Sequence, residues 1–196
     1  MGDTDLEVTD CRLFELSQMV VRAKVHFDLW SLLYVQSEER RKNLHDMQVH
    51  SQFFVFDMHA HFVSWVLHTY IIFDKGKRTL SLERVLHRYE RFSVIPSKEI
   101  DSLRLELDRL GEVAEGVKCL RNSVVAHRNI DCDYKKYFAQ AKVKPDQVGK
   151  LLSDVLLIVN RLQGLRNLKT TRFNVLPRQH LSDLFDRLKS TYGGSP

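Results

Sequence analysis

Seven apolar positions, Leu13, Leu16, Val20, Ala23, Phe27, Trp30 and Tyr34, follow one another in alternating steps of three and four. That is the period of one helix face and not of any strand. A helix over about 5–38 with so continuous a stripe must bury it against other helices. The chain supplies them. Over 44–73, Met47, Phe54, Met58, His61, Trp65, His68 and Ile72 make a second stripe. Phe53, Val55, Phe56, Phe62, Val66, Tyr70 and Ile71 occupy the other sides, so this helix needs more than one neighbour.

The later chain keeps the helical period. A turn at 74–78 precedes a short helix from Ser81 with Leu82, Val85, Leu86 and Tyr89 inward. Pro96 breaks the chain, and Ser97 is a suitable N-cap for a stripe of Leu103, Leu107, Leu110, Ala114, Val117, Leu120 and Val124. Gly111 and Gly116 weaken the middle of that stripe and predict a bend. The stretch 128–145 reads as a long irregular loop. Asp146 then caps a helix to about 168, and Pro177 opens a last helix over 178–190 before a tail at 191–196. With 8 Gly and 4 Pro in 196 residues and no run of alternating polarity, the expectation is all-α. Its form is an up-down four-helix bundle with additional short helices, as one domain over 1–196 with its core in about 10–170.

Composition excludes several function classes. Cys11, Cys119 and Cys132 are odd in number and scattered, which is neither a disulfide framework nor a zinc site and fits a reducing cytoplasm. The acidic N-terminus lacks an apolar signal region. The apolar stretch 53–73 is interrupted by Asp57, His59, His61 and His68, groups costly in hydrocarbon, so no membrane association is expected. Those histidines have no i, i+4 pair, and neither a metal nor a cofactor is expected. A net charge of +5 allows an anionic partner without establishing one.

The residues that suggest chemistry are Lys118-Cys119-Leu120-Arg121-Asn122-Ser123-Val124-Val125-Ala126-His127-Arg128-Asn129. Arginine matches phosphate oxygens bidentately, and histidine is the side chain whose proton moves near neutral pH. Six helical positions set Arg121 and His127 about 120° apart, on opposite edges of a ridge through Val124. One straight helix cannot make them converge; unwinding near His127 or a second copy of the chain can. Arg121 and Arg128, seven apart, share a face, and Ser123 is within reach of His127. The competing reading is structural: a core histidine ending a helix, with basic residues placed to complement its dipole.

The chain resembles the HEPN superfamily, and most closely its AbiU-type abortive-infection branch. The matching pieces are the segment from Leu120 to Arg128, and the earlier Ile71-Ile72-Phe73-Asp74-Lys75 followed by Leu80-Ser81-Leu82. The resemblance implies a metal-independent ribonuclease that acts as a homodimer, in phage defence or with an antitoxin partner. The Arg and His motifs of two subunits would then face each other across a cleft. By that resemblance Arg121, His127 and Asn122 are the catalytic positions, and Arg128 and Lys118 would bind RNA. Five residues separate Arg121 from His127 where many members have four, and Asn129 stands where many have Tyr. The alternative is a catalytically silent HEPN-like dimer serving as an RNA-binding or protein-interaction module.

Overall fold

The computed structural model describes residues 3–35, 38–76, 79–126, 134–173 and 177–192. Among these the chain forms ten helices and no strand. They are α1 (Asp3–Tyr34), α2 (Glu38–Lys42), α3 (Leu44–Val49), α4 (Ser51–Phe73), α5 (Leu82–Arg91), α6 (Ser97–Arg109), α7 (Gly111–Ala126), α8 (Tyr134–Ala141), α9 (Pro145–Leu165) and α10 (Pro177–Tyr192).

Four of them make the bundle. The stripe of α1 is sealed, with Leu13, Leu16, Val20, Ala23 and Trp30 fully buried. It packs on α4 and α9, while α7 lies against both α4 and α9. Successive members run in opposite directions. Leu13 and Leu16, early in α1, share a cluster with Ile72 at the end of α4, and with Val159 and Leu162 late in α9. Burying such a face is the main source of helix stability in water, since isolated helices are marginal. Buried hydroxyls on these faces bond within their own helix: Thr9 Oγ1 donates to the Asp5 carbonyl and Thr69 Oγ1 to the Trp65 carbonyl.

The core falls into three stacked clusters. At one end α5 and α6 cover Leu13, Leu16, Val20 and Ile72. In the middle Trp30, Phe62, Trp65, Val117 and Leu120 pack with Tyr134 and Phe138 of α8. At the other end α3 and α10 close over Leu33, Phe54 and Phe185. Three arginine clamps fasten the first end. Arg104 forks onto Glu90 and reaches Glu83; Arg161 binds Glu99 and Glu106; Arg166 grips Asp10, which also accepts the buried Tyr89 hydroxyl at 2.7 Å.

Several expected boundaries are corrected. The first helix ends at Tyr34 rather than near 38, and the charged run becomes the separate turn α2. The expected helix over 44–73 is kinked at His50, whose backbone (φ −107°, ψ 37°) leaves the helical region between α3 and α4. The ladder survives the kink, because His50 N–H still reaches Asp46 O and its carbonyl accepts Phe54 N–H. The stripe from Leu103 to Val124 is two helices meeting at Leu110, next to Gly111, where the bend was expected. Pro96, not Ser97, stands at the N-cap of α6. Lys144, not Asp146, stands at that of α9, its N–H bonded to Gln147 Oε1 at 2.8 Å.

The largest correction is α8. Residues 134–141, expected as loop, form a helix whose Tyr134, Tyr137, Phe138 and Ala141 are all buried. Their spacing of three, one and three is itself a helix face. Gly116 permits this docking: a Cβ there would stand 2.1 Å from Val143 Cγ1 and 3.0 Å from the Ala141 carbonyl oxygen.

Gly116→Ala is therefore expected to destabilise the protein by about 1–3 kcal/mol, the usual range for overpacking. Urea unfolding reads the loss, and Val143→Ala in the same chain is expected to restore most of it. A Gly116→Ala chain as stable as its parent would contradict this close approach.

Candidate functional site

The second half of α7 carries Lys118, Arg121 and Asn122 and packs along α4. Val117 and Leu120 anchor this register by being fully buried between them. Arg121 thereby rests on Tyr70, its guanidinium carbon 5.0 Å from the ring centroid. The aromatic face attracts the cation without using its donors. Nη1 donates to Asn122 Oδ1 at 3.0 Å, so the two neighbours are joined. Nε is buried and, among the described residues, has no hydrogen-bond partner. No described carboxylate lies within ion-pair distance of Arg121, in contrast to Arg104, Arg161 and Arg166.

Tyr70 also lines a groove of about 630 Å³, bounded by the end of α4, the first half of α7, and α5 and α6. Ile72, Phe73, Leu82 and Leu107 give it an apolar floor. Asp74 and Lys75, from the Phe73-Asp74-Lys75 element, reach the same groove as Lys118. Thr79 Oγ1 and the Gly76 N–H hold the Asp74 carboxylate, at 2.7 and 3.1 Å. The Thr79 bond foremost, with smaller help from Gly76, Tyr70 and the Arg121 charge, keeps that carboxyl below the usual aspartate range against the opposing effect of burial.

The lining charges are mixed. Asp74, Glu83, Asp108 and Glu115 face Lys75, Arg104 and Lys118, so the groove is not a positive track for a polyanion. Lys118 is itself paired with Glu115 at 2.9 Å, and that partner raises its pKa. Arg121, which rests on the lining residue Tyr70, has no such partner among the described residues.

Of the five residues expected at the site, Arg121, Asn122 and Lys118 are brought together on α7. His127 and Arg128 lie outside the described residues, and with them the expected reach of Ser123 to His127. The Ser123 hydroxyl donates to the Cys119 carbonyl at 3.0 Å. Tyr70 was missed by sequence reading because nothing in its own neighbourhood marks it. Only the pairing of α4 with α7 places it beneath Arg121.

The histidines of α4 have separate partners. His59 Nδ1 is 3.4 Å from the Tyr134 hydroxyl, His61 lies 3.5 Å from Asp57, and His68 Nδ1 lies 2.7 Å from the Ser64 carbonyl. His26 of α1, unremarked in the sequence, sits with its Nδ1 2.7 Å from His61 Nδ1 and its ring stacked at 6.1 Å on His68. Among the described residues no group of His, Cys, Asp or Glu is arranged to hold a metal ion. No helix among them is long and apolar enough to cross a membrane.

Burial first, then the charges of His61, His68 and Arg22, hold His26 below its ordinary value of 6.5. The unfolded chain therefore takes up this proton before the folded one. Its contribution to stability is full above pH about 6.5 and declines as the pH falls through the lowered value. His26→Gln is expected to flatten the fall of unfolding free energy below that pH, as measured by urea titration. An unchanged slope would contradict the assignment.

A family model for AbiU2, a HEPN-type domain, matches residues 12–184. That span contains the bundle, the groove and the Arg121–His127 segment. No curated protein and no solved structure matches the chain.

Proposed function

Because the chain belongs to the AbiU2 family of HEPN domains, we propose that it is a metal-independent endoribonuclease acting as a homodimer in abortive infection. Arg121 carries this reading. It is a half-buried guanidinium resting on Tyr70, with a buried Nε lacking a partner and no carboxylate competing for it among the described residues. A cation so held is prepared for an oxyanion. Its preorganisation is the form of electrostatic stabilisation that lowers barriers most.

In this mechanism a ribose 2′-OH attacks the adjacent phosphorus and the 5′-oxygen leaves. His127 takes the proton from the nucleophile and returns one to the leaving group. Arg121 neutralises charge growing on the phosphorane oxygens, and Asn122 orients a reacting group while steadying Arg121. Arg128 and Lys118 hold flanking phosphates. The products are a 2′,3′-cyclic phosphate and a 5′-hydroxyl, and DNA, lacking the nucleophile, is spared.

Dimerisation answers the divergence of Arg121 and His127 along one helix, since each subunit supplies the group the other directs away. An apolar face for a second copy is available where α3 passes into α4. Val49, Phe53, Val55 and Phe56 are 51–74% exposed there, and large apolar side chains left in water together are surface a partner can cover. An antitoxin partner would have to cover the same cleft or hold the subunits apart.

Purified protein incubated with RNA in EDTA is expected to cleave it. Arg121→Ala and His127→Ala are each expected to lower the rate by about 10²–10⁴-fold, and light scattering at micromolar concentration to show a dimer. Inert wild-type protein that still dimerises and binds RNA would replace this reading with the silent interaction module. Activity lost in EDTA would point instead to a metal-dependent hydrolase.

A further inference from the structure

On the far side of the 74–80 loop from the groove, Arg12 of α1 and Arg84 and Arg88 of α5 line a second pocket, of about 320 Å³. All three side chains are half-buried. Arg84 donates to the Gly76 carbonyl at 3.2 Å. Arg12 and Arg88 make no hydrogen bond among the described residues, and none of the three has a described carboxylate within ion-pair distance. Glu15 is the one acidic residue of the lining.

This arrangement sets like charges against one another. Arg84 and Arg88 stand four apart on one helix, a like-charge spacing that destabilises it, and Arg12 adds a third cation from across the interface. Burial, followed by the charges of Arg12 and Arg84, holds Arg88 below the ordinary arginine range. Arg104, Arg161 and Arg166, also half-buried, are each closed by carboxylates. These three are left open around a common space.

Three guanidiniums against Glu15 leave two positive charges on the lining; Arg91 and Asp5, which also act on Arg88, cancel. Two positive charges match a phosphomonoester, which carries about −1.5 to −2 at neutral pH, better than the single charge of a backbone diester. The volume is at the lower limit of small-molecule sites, enough for one phosphoryl group and part of its sugar. We propose that Arg12, Arg84 and Arg88 form a phosphomonoester-binding site, occupied by the 5′-phosphate end of an RNA or by a free nucleotide. The site borders the groove, for Thr79, in its wall, donates its hydroxyl proton to Asp74 on the other side of the loop.

The test is independent of cleavage. The full chain is titrated with one short 2′-O-methyl oligonucleotide, which offers no attacking hydroxyl, in 5′-phosphorylated and 5′-hydroxyl forms, and with adenosine 5′-monophosphate beside adenosine. Each phosphorylated probe is expected to bind about tenfold or more tightly than its unphosphorylated partner, as charge-assisted bidentate contacts require. Arg12→Gln combined with Arg88→Gln is expected to abolish that preference, and Arg121→Ala to retain it. The double variant is expected to melt no lower than the parent, since it relieves like-charge repulsion, so lost binding is distinguished from lost folding. Oligonucleotide bound more tightly than the monophosphate identifies an RNA end as the source; the reverse identifies a free nucleotide. Equal binding of phosphorylated and unphosphorylated probes, or a preference that survives in the double variant, overturns the proposal.

Discussion

The aromatic layer around Trp30 is the interaction on which the rest of the molecule depends. Trp30 is fully buried, packs against Phe62 and Trp65 of α4, and stacks on Phe138 of α8 at 5.5 Å. Tyr134 closes the layer from the side, with ring centroids 4.5 Å from Phe62 and 4.8 Å from Tyr34. Such rings bring large apolar area together with specific tilted and stacked geometry. One residue thus joins the first helix, the helix beneath Arg121, and the helix that follows the His127 segment.

That layer also constrains the chemistry proposed for the chain. Arg121 of α7 lies on Tyr70 of α4, and α8 opens at Tyr134, which the aromatic layer holds. In sequence, these two anchors flank His127, Arg121 before it and Tyr134 after it. Gly116 keeps the second anchor close by letting α8 and Val143 lie directly on α7.

Charge is distributed in two ways on this scaffold. Arg104, Arg161 and Arg166 are consumed in clamps that neutralise partly buried cations and join α6 to α5, α9 to α6, and the end of α9 to α1. Arg121, Arg12, Arg84 and Arg88 have no such carboxylate among the described residues. The clamped arginines join helices, whereas Arg12, Arg84 and Arg88 line a common pocket and Arg121 rests on Tyr70. That contrast, more than the modest net charge, distinguishes structural arginines from those available to an anion.

The all-α architecture and its principal helices were legible because stripes at steps of three and four admit no other buried arrangement. The Arg121-Asn122 pair and the Phe73-Asp74-Lys75 element were legible as motifs, and folding brings Asp74 and Lys75 into one groove with Lys118. Helix α8 escaped because its four buried residues lie within a stretch rich in lysine and aspartate, where charge masks a short period. The kink at His50 escaped because the ladder continues through it. Tyr70, His26 and the arginine pocket were beyond reach of any local pattern. Period and composition act within one helix, so the chain alone determined which faces had to be buried. Which residues of different helices became neighbours was decided by the register of packing, because that register is set by interlocking side chains far apart in the sequence.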